Sequence, residues 1–158
     1  VGEATQADRD QIDASREAFR AGVAQLQPGS SVNAVSRAIE DSFRGHHREF
    51  GILRGYTGHG IGSQMHMAPD VPNQSRARLL PRLAPGIVLA IEPMITLGGP
   101  ETGVLSDEWT VVSSDGSRGA HWENTVALTR DGVWVLTELD GGQAELTARG
   151  LRFAPVGD

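Results

Sequence analysis

The chain has 158 residues, a length typical of one domain, and its 39% hydrophobic and 22% charged content excludes a disordered polypeptide. The net charge of −6 argues against nucleic acid or an anionic membrane as a partner, and no apolar run approaches the roughly 18 residues of a membrane span. The absence of cysteine excludes disulfides and thiolate ligands, so any metal site must use His, Asp and Glu.

Two amphipathic helices are predicted near the beginning of the chain. The first covers residues 8–26, where apolar side chains recur on one stripe and charged side chains fill the opposite face. Pro28 and Gly29 end it, and Ser31 is placed to cap a second helix over residues 32–48. Both apolar stripes are typical of helix faces that pack on a core.

The rest of the chain has the short apolar runs and frequent turn residues of a β-rich region. Residues 87–97 are apolar almost throughout, which is typical of a central strand buried on both faces. Residues 67–86, with four prolines and no core pattern, are predicted to be a long connection. The other predicted elements are strands over residues 51–62, 104–113, 121–129 and 133–139 and a short helix over residues 143–149. Two helices followed by mostly antiparallel strands predict a single α+β domain over residues 1–158.

A glycine-rich segment at residues 58–66 carries the first candidate site residues. His59 lies between Gly58 and Gly60, and His66 follows seven residues later. Because glycine has no side chain, a ligand or a neighbouring backbone can come close to the His59 ring. A neutral imidazole in such surroundings is suited to metal binding or to acid–base chemistry. Taken alone, the segment is also consistent with a hydrogen-bonded histidine in a glycine turn.

Two carboxylates extend this candidate site. Glu92 is the only charged residue in the predicted strand 87–97, and a carboxylate buried there without a partner costs several kcal/mol. The strand contains no Arg or Lys, so the charge of Glu92 is expected to be balanced by a distant Arg or by a metal ion. Glu123 repeats this situation in the predicted strand 121–129, where we also expect it to be buried.

One histidine and two glutamates form a donor set that suits Zn, Mn, Fe or Co and leaves room for water. A metal-bound water beside a carboxylate is a hydrolytic nucleophile near neutral pH. The residues therefore favour a metallohydrolase site built from His59, Glu92 and Glu123. His66 is expected to be a nearby imidazole that is not a ligand.

Four motifs together resemble the methionine aminopeptidase family of M24 metallopeptidases. They are Gly-His-Gly-Ile-Gly at residues 58–62, Ile-Glu-Pro-Met at residues 91–94, Trp-Glu-Asn-Thr-Val at residues 122–126, and Trp109 within Asp-Glu-Trp-Thr-Val. The resemblance extends from the beginning of the chain to about residue 136. It implies the second half of a pita-bread fold, which is a curved antiparallel sheet backed by helices. Related dipeptidases and creatinase-like enzymes share the metal-binding residues.

The resemblance implies a cytoplasmic metalloaminopeptidase that removes N-terminal methionine from nascent proteins and peptides, with a metal-bound hydroxide as the nucleophile. It implies that His59 and Glu92 bind one divalent ion, that Glu123 bridges two ions, and that Glu92 is also the general base. His66 is implied to hydrogen-bond the scissile amide and the tetrahedral intermediate.

The resemblance further implies that Met65 and Trp109 wall the pocket for the substrate's methionine side chain. Met65 stands where the family usually has an aromatic residue, and its adaptable apolar side chain is compatible with a methionine pocket. Two structural interpretations stay open at this stage. Trp109 could be a core residue, and His66 could be a hydrogen-bonded surface histidine.

Only the family's second half is represented in the sequence. The first half supplies a further histidine and two aspartates, so we expect those ligands in a missing N-terminal half that acts in cis or in trans. The complete family site holds two ions. Because two glutamates balance the charge of one dication, this chain is expected to bind at most one ion by itself. The alternative functions are a non-catalytic peptide-binding module and a related metallopeptidase such as an Xaa-Pro peptidase.

Overall fold

A computed structural model describes residues 2–77 and 79–156. The predicted ends of the domain, Val1 and Asp158, lie outside the described residues, as do Arg78 and Gly157. Within the described part of the chain, the order of elements is two helices, ten short strands and a final short helix.

Helix α1, Gln6–Val23, begins two residues before its predicted start because a reciprocal cap forms there. The Thr5 hydroxyl oxygen accepts a hydrogen bond from the backbone N–H of Asp8, and the Asp8 carboxylate accepts one from the backbone N–H of Thr5. The cap satisfies two N–H groups that the first helical turn leaves without a partner. The Thr5 hydroxyl also donates a hydrogen bond to the Asp8 carboxylate, and this bond together with the one from the Thr5 N–H holds the pKa of Asp8 below its ordinary value.

Helix α2, Val32–Arg44, is capped by Ser31 as predicted, since the Ser31 hydroxyl oxygen accepts a hydrogen bond from the Ala34 N–H. The helix ends at Arg44, four residues before its predicted end, and Gly45 is its C-terminal cap residue. It packs against α1, where a Cβ at Gly22 would lie 3.0 Å from the Ile39 side chain. Both predicted apolar stripes are confirmed as core faces.

The strands form three sheets. They are β1 Gly51–Ile52, β2 Thr57–Gly60, β3 Met67–Pro72, β4 Val88–Ile91, β5 Met94–Thr96, β6 Thr102–Val104, β7 Val111–Ser113, β8 Gly119–His121, β9 Asn124–Leu128 and β10 Val133–Val135. One sheet has the order β10-β9-β4-β2-β3, a second has the order β1-β5-β8, and β6 pairs with β7. Every pairing between these strands is antiparallel, which confirms the predicted α+β class. Among the described residues, no helix has the length and apolar character of a membrane span.

The longest predicted strand, residues 87–97, is in fact two strands. Its first part is β4 and its second part is β5, and the two belong to different sheets. The break falls at Glu92 and Pro93. Because Pro93 has no N–H to donate to a ladder, the chain leaves one sheet there and enters the other. The predicted strands 51–62 and 121–129 are divided in the same way, into β1 with β2 and β8 with β9.

One more predicted strand and the predicted long connection differ from the structure. Residues 104–113 are not one strand, because they span the turn of the β6–β7 hairpin, and this turn contains Trp109. Residues 67–86 are not all connection, because Met67–Pro72 forms β3. β3 lies at the edge of its sheet, where prolines are tolerated, and Val71 is fully buried. The β9–β10 hairpin and the final helix, α3 Gln143–Ala148, are confirmed.

The order of strands in the largest sheet positions the candidate site. β4 lies between β2 and β9, with His59 opposite Ala90 and Ile91 opposite Asn124. Glu92 directly follows β4, and Glu123 directly precedes β9. The register therefore brings one histidine and two carboxylates to the same end of three adjacent strands.

Gly58 allows β2 to pack closely on β4, because a Cβ at this position would overlap the carbonyl oxygen of Ala90. We expect Gly58→Ala to lower the free energy of unfolding by about 1–3 kcal/mol, the usual cost of overpacking. Urea denaturation measures this change. The matched control is Gly103→Ala in β6, where a Cβ meets nothing within 4 Å. The control should stay within about 0.5 kcal/mol of the parent, and equal losses for both variants would contradict the role of Gly58.

Candidate metal centre

Three side chains that the sequence singled out converge in the structure. His59, Glu92 and Glu123 each offer one ligand atom, and these atoms all lie within 4.8 Å of one another. His59 Nε2 lies 3.5 Å from Glu92 Oε1. The convergence depends on the register of β2, β4 and β9, because the three residues lie far apart along the chain.

The His59 ring is oriented by its own backbone. Its Nδ1 lies 2.8 Å from the carbonyl oxygen of Gly60. A carbonyl oxygen only accepts hydrogen bonds, so Nδ1 is the donor in this contact and Nε2 is the ring nitrogen that faces Glu92. A backbone carbonyl on the second ring nitrogen is the usual arrangement for a metal-binding histidine.

Glu92 is buried as predicted, with 9% of the residue exposed. Within residues 2–77 and 79–156, no Arg pairs with its carboxylate, so the expected distant Arg is not found. Two imidazoles flank it instead: His59 Nε2 near Oε1, and His121 Nε2 at 3.2 Å from Oε2. Its backbone carbonyl accepts a hydrogen bond of 3.0 Å from the buried Asn73 amide, which fixes the strand end.

Glu123 differs from its prediction, because 48% of its side chain is exposed. The expected burial assumed one continuous strand over residues 121–129. The ladder is interrupted between β8 and β9, and Glu123 lies in the two-residue link between them. Its carboxylate is therefore partly exposed to solvent, which lowers the cost of its charge.

The structure brings His66 to the site. The ring centroids of His59 and His66 lie 4.4 Å apart, with the planes at 63°. His66 is exposed, and so is the adjacent Met65, at 67%. Trp109 is 86% exposed at the β6–β7 turn, so its interpretation as a core residue is wrong. The roles of Met65 and Trp109 as pocket walls stay predictions.

Sequence reasoning missed one residue of this cluster, His121 at the end of β8. Its Nε2 lies 3.2 Å from Glu92 Oε2 and 3.9 Å from Glu123 Oε2. The interaction with the Glu92 carboxylate, more than the opposing effect of burial, raises the pKa of His121 above its ordinary value. The available signal was the spacing His-x-Glu, which places His121 two residues before a predicted ligand.

These donors fit a divalent ion. Imidazole nitrogen and carboxylate oxygen suit Zn, Mn, Fe and Co, and one buried carboxylate lacks a guanidinium partner among the described residues. The two glutamates carry enough negative charge for one dication. These three residues could therefore hold one ion, whose remaining coordination positions would be open to water or substrate.

Comparisons with known proteins point to the same chemistry. A model of metallopeptidase family M24 matches residues 1–130. Methionine aminopeptidase 1 of Mycobacterium tuberculosis is 50% identical over 141 residues, which covers 87% of this chain and 53% of that protein. Methionine aminopeptidase 1 of Bacillus subtilis is 36% identical over 139 residues, covering 88% and 55%. The chain thus spans about half the length of the curated relatives it matches.

Solved structures confirm the fold. The crystal structure of methionine aminopeptidase from Thermotoga maritima matches with a TM-score of 0.81 and 34% identity, covering 87% of this chain and 55% of that one. Prolidase from Pyrococcus furiosus matches with a TM-score of 0.65, covering 87% and 34%, and its 20% identity supports a shared fold alone. The predicted curved sheet backed by helices, the second half of a pita-bread fold, is confirmed.

The pairing of His121 with Glu92 predicts a measurable pH dependence in the chelator-treated chain. Because the folded-state pKa of His121 is raised, its stabilising contribution is present below pH 6.5 and is lost as the pH rises through the raised pKa. We expect Glu92→Gln to move the pKa of His121 back toward 6.5 in an NMR titration. Glu101→Gln, which removes an exposed carboxylate near Arg54, is the control and should leave the pKa unchanged. An unchanged pKa in Glu92→Gln would show that the contact does not persist in solution.

Proposed function

The chain belongs to metallopeptidase family M24, and on that premise we propose that it acts in the metal-dependent removal of N-terminal methionine from nascent proteins and peptides. The observation that carries the proposal is the convergence of His59, Glu92 and Glu123 within 4.8 Å, on the scaffold shared with methionine aminopeptidases. We place this activity in the cytoplasm, where nascent chains are made.

His59, Glu92 and Glu123 are the residues that would hold the divalent ion. When bound, the ion supplies the Lewis acid that makes hydroxide available near neutral pH. Glu92 accepts the proton of the attacking water at the carboxylate, whose two oxygens already face nitrogen donors. His66, exposed and close to the His59 ring, is positioned to donate a hydrogen bond to the scissile amide.

The methionine side chain of the substrate is expected to lie against Met65 and Trp109. Both side chains are exposed, so both are free to contact a ligand. A thioether packs well against an aromatic ring and against another flexible apolar side chain. The packing of a thioether against these two side chains supports methionine as the first residue of the substrate.

We further propose that the chain binds at most one ion by itself, with Co, Mn, Fe or Zn as the candidate metals. The two carboxylates of the cluster balance one dication and leave a second one uncompensated. A two-ion site requires further ligands, and we propose that a missing N-terminal half supplies a histidine and two aspartates in cis or in trans. The relatives support this division, because the chain covers only 53% and 55% of their length.

A metal titration tests the number of ions per chain. Calorimetry with Mn²⁺ or Co²⁺ on the 158-residue chain should give at most one tight ion. His59→Ala should weaken the binding at least about tenfold, because it removes a direct ligand. Two tight ions per chain would contradict the charge argument.

Peptide hydrolysis tests the activity. We expect the metal-loaded chain to cleave Met-Ala-Ser in preference to an Ala-Pro peptide, with the free methionine measured by chromatography. Glu92→Gln should lower kcat/KM by at least about 100-fold, because it removes the general base and weakens a ligand. Glu101→Gln is the matched control for the loss of one carboxylate elsewhere and should retain the parent rate.

Three outcomes would contradict this proposal. Faster cleavage of Ala-Pro would favour an Xaa-Pro peptidase. Binding of the methionine peptide without cleavage, by the metal-loaded chain alone and also with an N-terminal half added in trans, would favour a non-catalytic peptide-binding module. Cleavage that survives in Glu92→Gln would place the reaction at another site.

A further inference from the structure

His121 occupies a position in the cluster that the family resemblance does not explain. Its ring is half exposed at the end of β8, next to the link that carries Glu123. Its Nε2 faces both carboxylates, at 3.2 Å from Glu92 Oε2 and 3.9 Å from Glu123 Oε2. His59 approaches the other oxygen of Glu92, so the two imidazoles lie on opposite oxygens of one carboxylate.

The spacing of these atoms is that of donors around a shared ion. Nitrogen and oxygen ligands lie about 2.0–2.2 Å from a zinc ion, so two donors on the same ion are separated by about 3–4 Å. The three nitrogen–oxygen distances in the cluster, 3.5, 3.2 and 3.9 Å, fall in this range. Nε2 of His121 therefore lies at such a distance from both carboxylates, as Nε2 of His59 does from Glu92.

The backbone holds His121 in place independently of any ion. His121 is opposite Met94 in the β5–β8 ladder, and the next backbone N–H, that of Trp122, donates to the carbonyl oxygen of Pro93. The segment after Glu92 and the segment before Glu123 are thus bonded to each other directly. A ligand fixed in this way loses little conformational freedom when an ion binds.

We propose that His121 is a fourth metal ligand of this chain, beside His59, Glu92 and Glu123. The inference rests on the proposed metallopeptidase site and extends it. Because a neutral imidazole adds no charge, both histidines can serve the single dication that the two glutamates balance. A donor set with two imidazoles shifts the preference toward Zn, Fe and Co, which bind imidazole better than Mg or Ca does.

A simple ion pair is the competing explanation for the same distances. In an ion pair the His121 ring stays protonated and keeps its contact with Glu92 when an ion is added elsewhere. In the proposed site, Nε2 gives up its proton and binds the ion. The two states differ in the ¹⁵N chemical shift of Nε2, which can be read for each histidine separately.

The experiment uses the 158-residue chain with ¹⁵N-labelled histidine and Zn²⁺ as the probe. Long-range ¹H–¹⁵N spectra follow the five histidines before and after one equivalent of Zn²⁺. We expect Nε2 of both His59 and His121 to move to the position of a metal-bound nitrogen. In calorimetry, His121→Gln should weaken Zn²⁺ binding at least about tenfold, whereas His47→Gln, a change at an exposed histidine beside Asp10, should not change it.

The outcomes separate this inference from the function on which it rests. A zinc-dependent shift of His59 alone, with unchanged affinity in His121→Gln, would overturn the fourth ligand and leave the metallopeptidase proposal intact. No zinc binding by a chain that is folded by circular dichroism would overturn both. A shift of both rings in the parent chain, together with weaker Zn²⁺ binding by His121→Gln than by His47→Gln, would establish the fourth ligand.

Discussion

The structure around the site depends on one buried carboxylate. Glu92 directly follows β4, whose residues are all apolar. It is 9% exposed, and it lies at the point where the chain passes from one sheet to another. A charge in that position must be balanced, since an unpaired buried carboxylate is costly. The fold places an imidazole nitrogen near each of its two oxygens, and no guanidinium among the described residues. An imidazole nitrogen beside a carboxylate is also a donor that suits a divalent ion.

Two neighbouring sheets bring the other members of the cluster to Glu92. His59 comes from β2, whose glycines let the strand lie close to β4, and Glu123 comes from the residue before β9. His121 comes from a different sheet, because the chain crosses from β4 to β5 immediately after Glu92 and β8 pairs with β5. The break at Pro93 is therefore the feature that allows two sheets to share one site. A continuous strand over residues 87–97 would have kept them apart.

Much of the local structure follows from short-range signals. Both long helices and the Ser31 cap are predicted from apolar periodicity and capping chemistry, with end errors of a few residues. The strand predictions were weaker because an apolar run does not show where it changes sheets. β3 was missed because its prolines resemble a loop, although an edge strand tolerates them. Trp109 could be read as core or as surface until the β6–β7 turn placed it in solvent.

The sequence by itself determined the family and the fold class, and it singled out three residues of the cluster, His59, Glu92 and Glu123. It could do so because the four motifs that carry the family resemblance lie in one order along the chain and can be recognised without the structure. Only the tertiary structure decided that Glu123 is half exposed and that His121 faces Glu92. The physical reason is that exposure and nonlocal contact depend on which strands pair. That pairing is set by the register of the whole sheet, which no single segment encodes.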